Sequence, residues 1–390
     1  MTRVWLFTAF AAGALAAGCA KDPDYDANNE GTAPAPDPGP KDWPHGLHVF
    51  GNHIEDAAGS TVVLRGVNRS GTEYRCVQSS AFFDGPSSES SVAAIKSWPG
   101  VNTVRVPLNE SCWLGINGAP DSVSGPYYKN AIYNYVQWLH KYDLIPILEL
   151  HWVGPGTQIA NRQQPMPDAD HAAAFWSDVA ATFVNDDGVV LEPYNEPFPD
   201  GNKDSDAAWA CWRDGCSASQ YAAGNNTPIG TYATAGMQSI VDAIRATRST
   251  HVILLGGVQY SNALTQWLAH APNDPLGQLG AAWHLYQFNA CVSATCWDAA
   301  PAAVAAAVPL VATEIGEDDC MGVFISPLMQ WLDDHGAGYL AWSWNAGPSC
   351  VPAPMPGRGG GRPWAIVSSY ATGAPNGGYA QAFYDHLAGR

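Results

Sequence analysis

Leu191-Glu192-Pro193-Tyr194-Asn195-Glu196-Pro197 is an apolar run that ends in Asn-Glu-Pro, the form of a buried strand that hands a carboxylic acid to the loop beyond it. Alone the tripeptide says little, because a Glu at a strand end is more often a solvated charge. It gains meaning from a second run of the same form, Leu310-Val311-Ala312-Thr313-Glu314-Ile315-Gly316. Two carboxylic acids carried to the ends of two strands supply the proton donor and the nucleophile or base that cleavage of a glycosidic bond needs.

Around these two runs, at 189–194 and 310–313, lie six more of the same apolar character, at 62–67, 101–106, 145–150, 252–255, 281–285 and 338–342. Helical periodicity fills the intervals at 91–98, at 128–142 with Ile132, Val136 and Leu139 on one face, and at 169–184 behind a capping Asp168. Further helices are expected at 232–247, 264–270, 302–307, 327–335 and 379–387. Strands that alternate with helices imply a parallel sheet, and eight of them imply an α/β chain closed into a (β/α)8 TIM barrel. An open doubly wound sheet would carry a Gly-x-Gly-x-x-Gly turn after its first strand, and none stands there. Gly51-Asn52, flanked by residues 47–50 and 53–55, predicts a small N-terminal β-hairpin. The Gly-rich patch at 357–362 reads as a late surface loop, within a last loop and closing helix over 351–390.

The chain has 390 residues, 46 % of them hydrophobic and 14 % charged, which is enough apolar surface for one large core. A net charge of -18 argues against nucleic acid and against anionic polysaccharide, whose charges call for Lys and Arg. A neutral partner fits better, and the 16 Trp offer flat apolar faces on which sugar rings stack. Residues 1–18 join Arg3 to an apolar run and small residues, the pattern of a secretory signal peptide. Leu15-Ala16-Ala17-Gly18-Cys19 resembles a lipoprotein acylation signal with its Leu one place too early, so Cys19 is a lipidation candidate and cleavage near Ala16 or Ala17 the alternative. Residues 20–42, rich in Pro, Asp, Asn and Ala, read as a disordered linker that leads to a catalytic domain over 43–390. The expectation is a bacterial protein, secreted or held at the cell surface by a lipid anchor, and a monomer.

Without Cys19, eight of the nine cysteines remain, an even number suited to disulfides in an exported chain. Spacing suggests Cys211 with Cys216 and Cys291 with Cys296; Cys320 with Cys350 would tie the loops after the last two strands, leaving Cys76 with Cys112. Neither Cys-x-x-Cys knuckles nor a His-Glu-x-x-His helix is present, so no metal and no cofactor are expected.

Catalytic residues of such a barrel sit at the C-terminal ends of its strands. Read in order, these ends carry Arg65 and Asn68, Arg105 and Asn109, His151 and Trp152, Asn195 and Glu196, His284 and Tyr286, Glu314, and Trp344. The set is similar to glycoside hydrolase family 5, the cellulase family of retaining hydrolases. The resemblance rests on Arg65-Gly66-Val67-Asn68, Asn102-Thr103-Val104-Arg105-Val106-Pro107, Glu149-Leu150-His151-Trp152, Tyr194-Asn195-Glu196-Pro197, Trp283-His284-Leu285-Tyr286, Thr313-Glu314-Ile315-Gly316 and Trp342-Ser343-Trp344-Asn345.

It implies that Glu196 is the acid/base and Glu314 the nucleophile. Arg105 and Tyr286 would keep Glu314 ionised; His151, Asn195 and His284 would hold sugar hydroxyls or orient the acids. Trp344, preferred over Trp342, would floor the subsite of the attacked sugar. Loop residues Trp113, Trp152, Trp212 and Trp297 are candidate stacking platforms, with packing against neighbouring disulfides as the alternative. Glu149 reads as structural by strand alternation, and Glu317, followed by two Asp, as part of a solvated turn.

The implied activity is a retaining endo-β-1,4-glucanase acting on a neutral β-linked polysaccharide. Its alternatives are a β-1,4-mannanase or an exo-acting β-glucosidase. Retention of both Glu with Arg105 and Tyr286 argues against a non-catalytic polysaccharide-binding barrel.

Overall fold

The structure is a computed structural model that describes residues 43–224, 226–348 and 364–390. The signal segment 1–18, Cys19, the linker 20–42, Cys350 and the Gly-rich patch 357–362 lie outside the described residues.

Strands β1 (His48–Phe50) and β2 (His53–Glu55) pair as the expected hairpin, with Gly51 in the left-handed conformation at φ 61°. Next come β3 (Arg65–Asn68), β4 (Thr103–Asn109), β5 (Ile145–Trp152), β6 (Val190–Glu192), β7 (Ser217–Tyr221) and β8 (Pro228–Ala233). The last four are β9 (Ile253–Gly256), β10 (Leu279–Tyr286), β11 (Leu310–Gly316) and β12 (Gly338–Ala341). β10-β11-β12-β3-β4-β5-β6-β9 close into a parallel barrel, so each of the eight apolar runs became a barrel strand.

The inward faces explain where the site lies. On β5, Ile145 and Ile147 join the apolar cluster inside the barrel, and Glu149 and His151 continue the same face toward the C-terminal rim. β6 repeats this with Val190 and then Glu192. Leu47 and Ile54 of the hairpin region join that inner cluster with Leu64 and Val252, so the hairpin packs against the apolar end of the barrel. The polar end is left for chemistry. β3 and β4 approach so closely that a Cβ on Gly66 would meet the Thr103 carbonyl oxygen at 1.7 Å.

Several expectations need correction. Tyr232 belongs not to a helix but to β8, which pairs antiparallel with β7; the helix begins at Met237. The polar run 217–233 lacks the alternation that marks a half-buried strand, because this hairpin projects largely into solvent. Asp168 caps the turn that leads into the next helix, its Oδ1 accepting the His171 N–H and its carbonyl the Ala172 N–H, but the helix proper runs Ala172–Thr182 rather than from 169. Arg65 turns away from the rim to pair with Asp333 at 2.8 Å. Asn109 is buried, its Oδ1 accepting the Cys112 N–H at the start of the helix Glu110–Leu114. Among the described residues no helix is long and apolar enough to cross a membrane.

Three disulfides join described residues: Cys76–Cys112, Cys211–Cys216 and Cys291–Cys296. The first ties the segment after β3 to that after β4; the second holds the β7–β8 hairpin to the helix Asp206–Asp214. The expected partner of Cys320, Cys350, is outside the described residues.

Candidate active site

Arg105 stands at the centre of the polar rim, fully buried. Its guanidinium donates to Glu192 at 2.7 and 3.1 Å, to Glu314 Oε1 at 2.7 Å, to Asn68 Oδ1 at 3.0 Å and to Asn195 Oδ1 at 2.9 Å. Glu149 lies 3.5 Å away. A buried charge survives only when neighbouring groups replace its hydration, and this one has carboxylates and amides on several sides. Burial opposes the Arg105 charge, but Glu149, Glu192 and Glu314 more than offset that and raise its pKa.

Glu314 is held from both sides, since the Tyr286 hydroxyl donates to its Oε2 at 2.6 Å. His284 and Glu314 are register partners across β10 and β11, with irregularities in the ladder beside each of them. Such bulges re-aim side chains at a rim. His284 Nδ1 stands 3.0 Å from Glu196 Oε1 and 3.5 Å from Glu314 Oε2. A carboxylate oxygen of Glu196, one of Glu314 and a ring nitrogen of His284 lie within 4.8 Å of one another.

The electrostatics separate the two acids. Burial raises Glu196 well above the usual carboxyl range, and the charge of Glu314 raises it further. Burial raises Glu314 as well, but the Arg105 charge and the Tyr286 hydroxyl pull it back. In this pair the proton therefore resides on Glu196 and the charge on Glu314. Burial also keeps His284 and His151 neutral, both below the usual imidazole value.

The remaining predicted residues divide. His151 Nδ1 meets Glu149 Oε2 at 3.0 Å, and the Asn195 amide stands 3.3 Å from His151 Nε2 while donating to Gln163 Oε1 at 2.7 Å. Both line the cleft, as does Trp152. Trp344 does not: it is 1 % exposed and packs edge-on against Trp98. Trp342 faces the cleft instead, stacked on His151 at 5.6 Å. Trp113, Trp212 and Trp297 are core residues, packed respectively against Tyr128 and Phe175, against Trp209 and Trp267, and against Phe324 and Trp331.

Glu317 is no solvated turn residue either. Its carboxylate accepts the Gly322 and Ile325 N–H groups at 2.7 Å each, and burial raises its pKa to about 7. Glu149 shares the inward face with His151 and bears directly on the site; burial raises it to about 8 despite Arg105.

Sequence reasoning missed Glu192, Thr313, Gln163, Tyr260 and Trp364. For Glu192 a signal existed: a charge inside an apolar strand must find a partner. Tyr260 stacks on Phe198 at 4.7 Å and lines the cleft near Glu196. It sits in an unusual left-handed run, Gln259, Tyr260 and Ser261 at φ 56°, 59° and 58°. Ser261 Oγ donates to the Asn195 carbonyl at 2.8 Å and Tyr260 N–H to that of Pro197 at 3.0 Å, so this run grips the backbone on either side of Glu196. A Cβ on Gly256 would meet Ser261 Oγ at 2.2 Å, which explains the glycine beneath it.

A family model described as cellulase, glycosyl hydrolase family 5, matches residues 56–348. A mannan endo-1,4-beta-mannosidase of Salipaludibacillus agaradhaerens is 22 % identical over 305 residues, covering 77 % of this chain and 81 % of that protein. Another from Streptomyces lividans is 28 % identical over 309 residues, covering 77 % of this chain and 66 % of that one. Among solved structures, the beta-glucanase SdGluc5_26A from Saccharophagus degradans, also known in complex with cellotetraose, superposes with a TM-score of 0.62 at 20 % identity, over 91 % of this chain and 97 % of that one. The mannanase catalytic domain from Streptomyces sp. SirexAA-E superposes with a TM-score of 0.55 at 20 % identity, over 89 % and 96 %. The family match spans every barrel strand, and the chain belongs to glycosyl hydrolase family 5 and is a glycoside hydrolase.

Proposed function

We propose that the protein is an exported, retaining endo-β-1,4-glucanase in which Glu196 is the acid/base and Glu314 the nucleophile. The approach of the two carboxyl groups within 4.8 Å carries the reading. Retaining enzymes hold their acids about 5–5.5 Å apart, whereas inverting ones leave about 6.5–9.5 Å for a water. The three disulfides support export, since such bonds persist in oxidising compartments.

In the first step Glu314, ionised and aligned by Arg105 and Tyr286, attacks the anomeric carbon while Glu196 protonates the departing oxygen. A hydrogen-bond chain favours that starting state. The Thr313 hydroxyl donates to Glu192 Oε1 at 3.1 Å, so His284 Nε2–H donates to Thr313 Oγ1 at 3.1 Å. His284 Nδ1 is then left as an acceptor facing Glu196, which suits a protonated carboxyl. Once the glycosyl-enzyme forms, the charge on Glu314 is gone, and Glu196 gives up its proton more readily and acts as base toward water.

Endo action is supported by a cleft of ≈ 1310 Å³. That exceeds the ~300–1,000 Å³ of a small-molecule pocket. The aromatic side chains of Trp152, Trp342, Trp364, Phe288 and Tyr260 line it. Trp342→Ala should lower kcat/KM on oligosaccharides roughly tenfold or more, the value of one lost stacking contact. Trp344→Phe should instead lower the melting temperature and leave kcat/KM within a factor of a few. The reverse pattern would return the platform to Trp344.

A β-1,4-mannan backbone is the second reading, favoured by the two mannan endo-1,4-beta-mannosidases among the relatives. Purified protein incubated with carboxymethyl cellulose, barley glucan, mannan, xylan and laminarin separates the two. A fast fall in viscosity on the first two, ahead of reducing-end release, is the expected result. Activity confined to mannan would replace the substrate, and release of monosaccharide alone would defeat endo action.

A further inference from the structure

Away from the catalytic carboxyl groups, Glu110, Asp168 and His171 converge at the junction of three rim segments. Glu110 opens the helix after β4 and accepts the Gly154 N–H of the loop after β5 at 2.9 Å. Asp168 lies in the segment before the helix Ala172–Thr182 and bridges to Thr234 beside β8. One donor atom from each of the three lies within 4.8 Å of the other two.

The cluster is short of positive charge. Both carboxyl groups are fully buried, and among the described residues their only ion-pair neighbour is His171, with no Lys or Arg beside either. No N–H or O–H group of another residue reaches Glu110 Oε1 or Asp168 Oδ2, and the two buried carboxyl groups meet each other instead. His171 Nδ1 comes to 3.1 Å from Asp168 Oδ1 yet is not aligned for a hydrogen bond to it. Two carboxylates at this depth with at most one imidazolium leave a buried negative charge that a bound cation would compensate.

We propose that Glu110, Asp168 and His171 are a structural site for one divalent first-row cation of the zinc type, which ties the segments after β4, β5 and β8 together behind the cleft. His171 Nδ1 stands 3.1 Å from Asp168 Oδ1 and 3.8 Å from Glu110 Oε2. Those spacings bracket the roughly 3.3 Å edge of a tetrahedron built on metal–ligand bonds of about 2.0–2.1 Å. One imidazole with two carboxylates matches zinc rather than calcium, which takes six to eight oxygens. The His171 side chain is 21 % exposed, so its side of the cluster gives the ion an entrance and a place for a water as fourth ligand.

The test uses the full untagged chain, stripped with a chelator, then titrated with Zn²⁺ at neutral pH by calorimetry and followed by thermal melting. One equivalent should bind and raise the melting temperature. His171→Ala, a change at a partly exposed position outside the catalytic machinery, should fold, weaken binding by at least ~100-fold and abolish the rise. Turnover well below the melting temperature should be the same for stripped and loaded protein. Absence of stoichiometric binding would overturn the site and leave a proton shared between Glu110 and Asp168. Binding that survives His171→Ala and inhibits turnover would also overturn it, because the ion would then sit on Glu196, His284 and Glu314.

Discussion

Replacing Glu314 by Gln is expected to lower turnover by roughly four to six orders of magnitude, the scale seen when an enzyme loses its nucleophile. The amide keeps the shape of the carboxyl group and its contact with Tyr286, but it carries no charge with which to attack. The fold should survive. Arg105 is the group most exposed to the change, and it keeps Glu192 at 2.7 Å and Glu149 at 3.5 Å, so no buried cation is orphaned. Initial rates on a soluble β-glucan, set beside thermal melts, measure both effects. A complementary result is expected from a 2-deoxy-2-fluoro glycoside with a good leaving group, which slows breakdown of the glycosyl-enzyme: peptide mapping should find the sugar on Glu314. Retention of more than about 1 % of the parent rate in Glu314→Gln, far above that range, would move the nucleophile elsewhere.

The parts of this molecule that a linear reading reached are those whose signal is local. Each barrel strand announces itself because its lower inward face is apolar, as with Ile145 and Ile147 on β5 or Val190 on β6, and because a helix follows. Glu196 and Glu314 stand out because each ends such a run. What was not legible depends on register between strands or on the direction a loop takes. Glu149 and Glu192 meet Arg105 only because β4, β5 and β6 align Arg105 with Ile147 and Glu149 with Glu192. Trp342 and Trp344 are two residues apart after β12, and the backbone beyond the strand, not composition, turns the first to the cleft and the second onto Trp98. Trp113 and Trp297 stand in loops beside disulfide cysteines, which leaves stacking and packing both open in the sequence, and their rings fold inward under the loops. Glu317 looked solvated beside Asp318 and Asp319, yet two backbone N–H groups from the following loop close over its carboxylate. In every one of these cases the deciding partner is distant in sequence or lies across a loop.

Glu196→Gln should give a different phenotype from Glu314→Gln, and that difference tests the division of labour. The amide cannot protonate a departing sugar oxygen, so hydrolysis of polysaccharide should fall by about 10²–10⁴-fold, the usual contribution of a positioned acid or base. A dinitrophenyl glycoside leaves without a proton, so its first step should proceed near the parent rate and produce a burst of dinitrophenol. Breakdown of the glycosyl-enzyme should then stall, because no base activates water. Azide, a nucleophile that needs no base, should restore turnover and yield the β-glycosyl azide, with retention, while leaving Glu314→Gln inactive. The pH profile adds an independent sign. The parent requires protonated Glu196 beside ionised Glu314, so its rate should fall on the acid side as Glu314 takes a proton and on the alkaline side as Glu196 loses one. Burial and the charge of Glu314 place that alkaline limb well above the usual carboxyl range. That alkaline limb should be seen in polysaccharide hydrolysis by the parent and be lost from the residual polysaccharide hydrolysis of Glu196→Gln, whose acid limb remains. An α-configured azide product, or an alkaline limb unchanged in the variant, would assign the acid/base to another group.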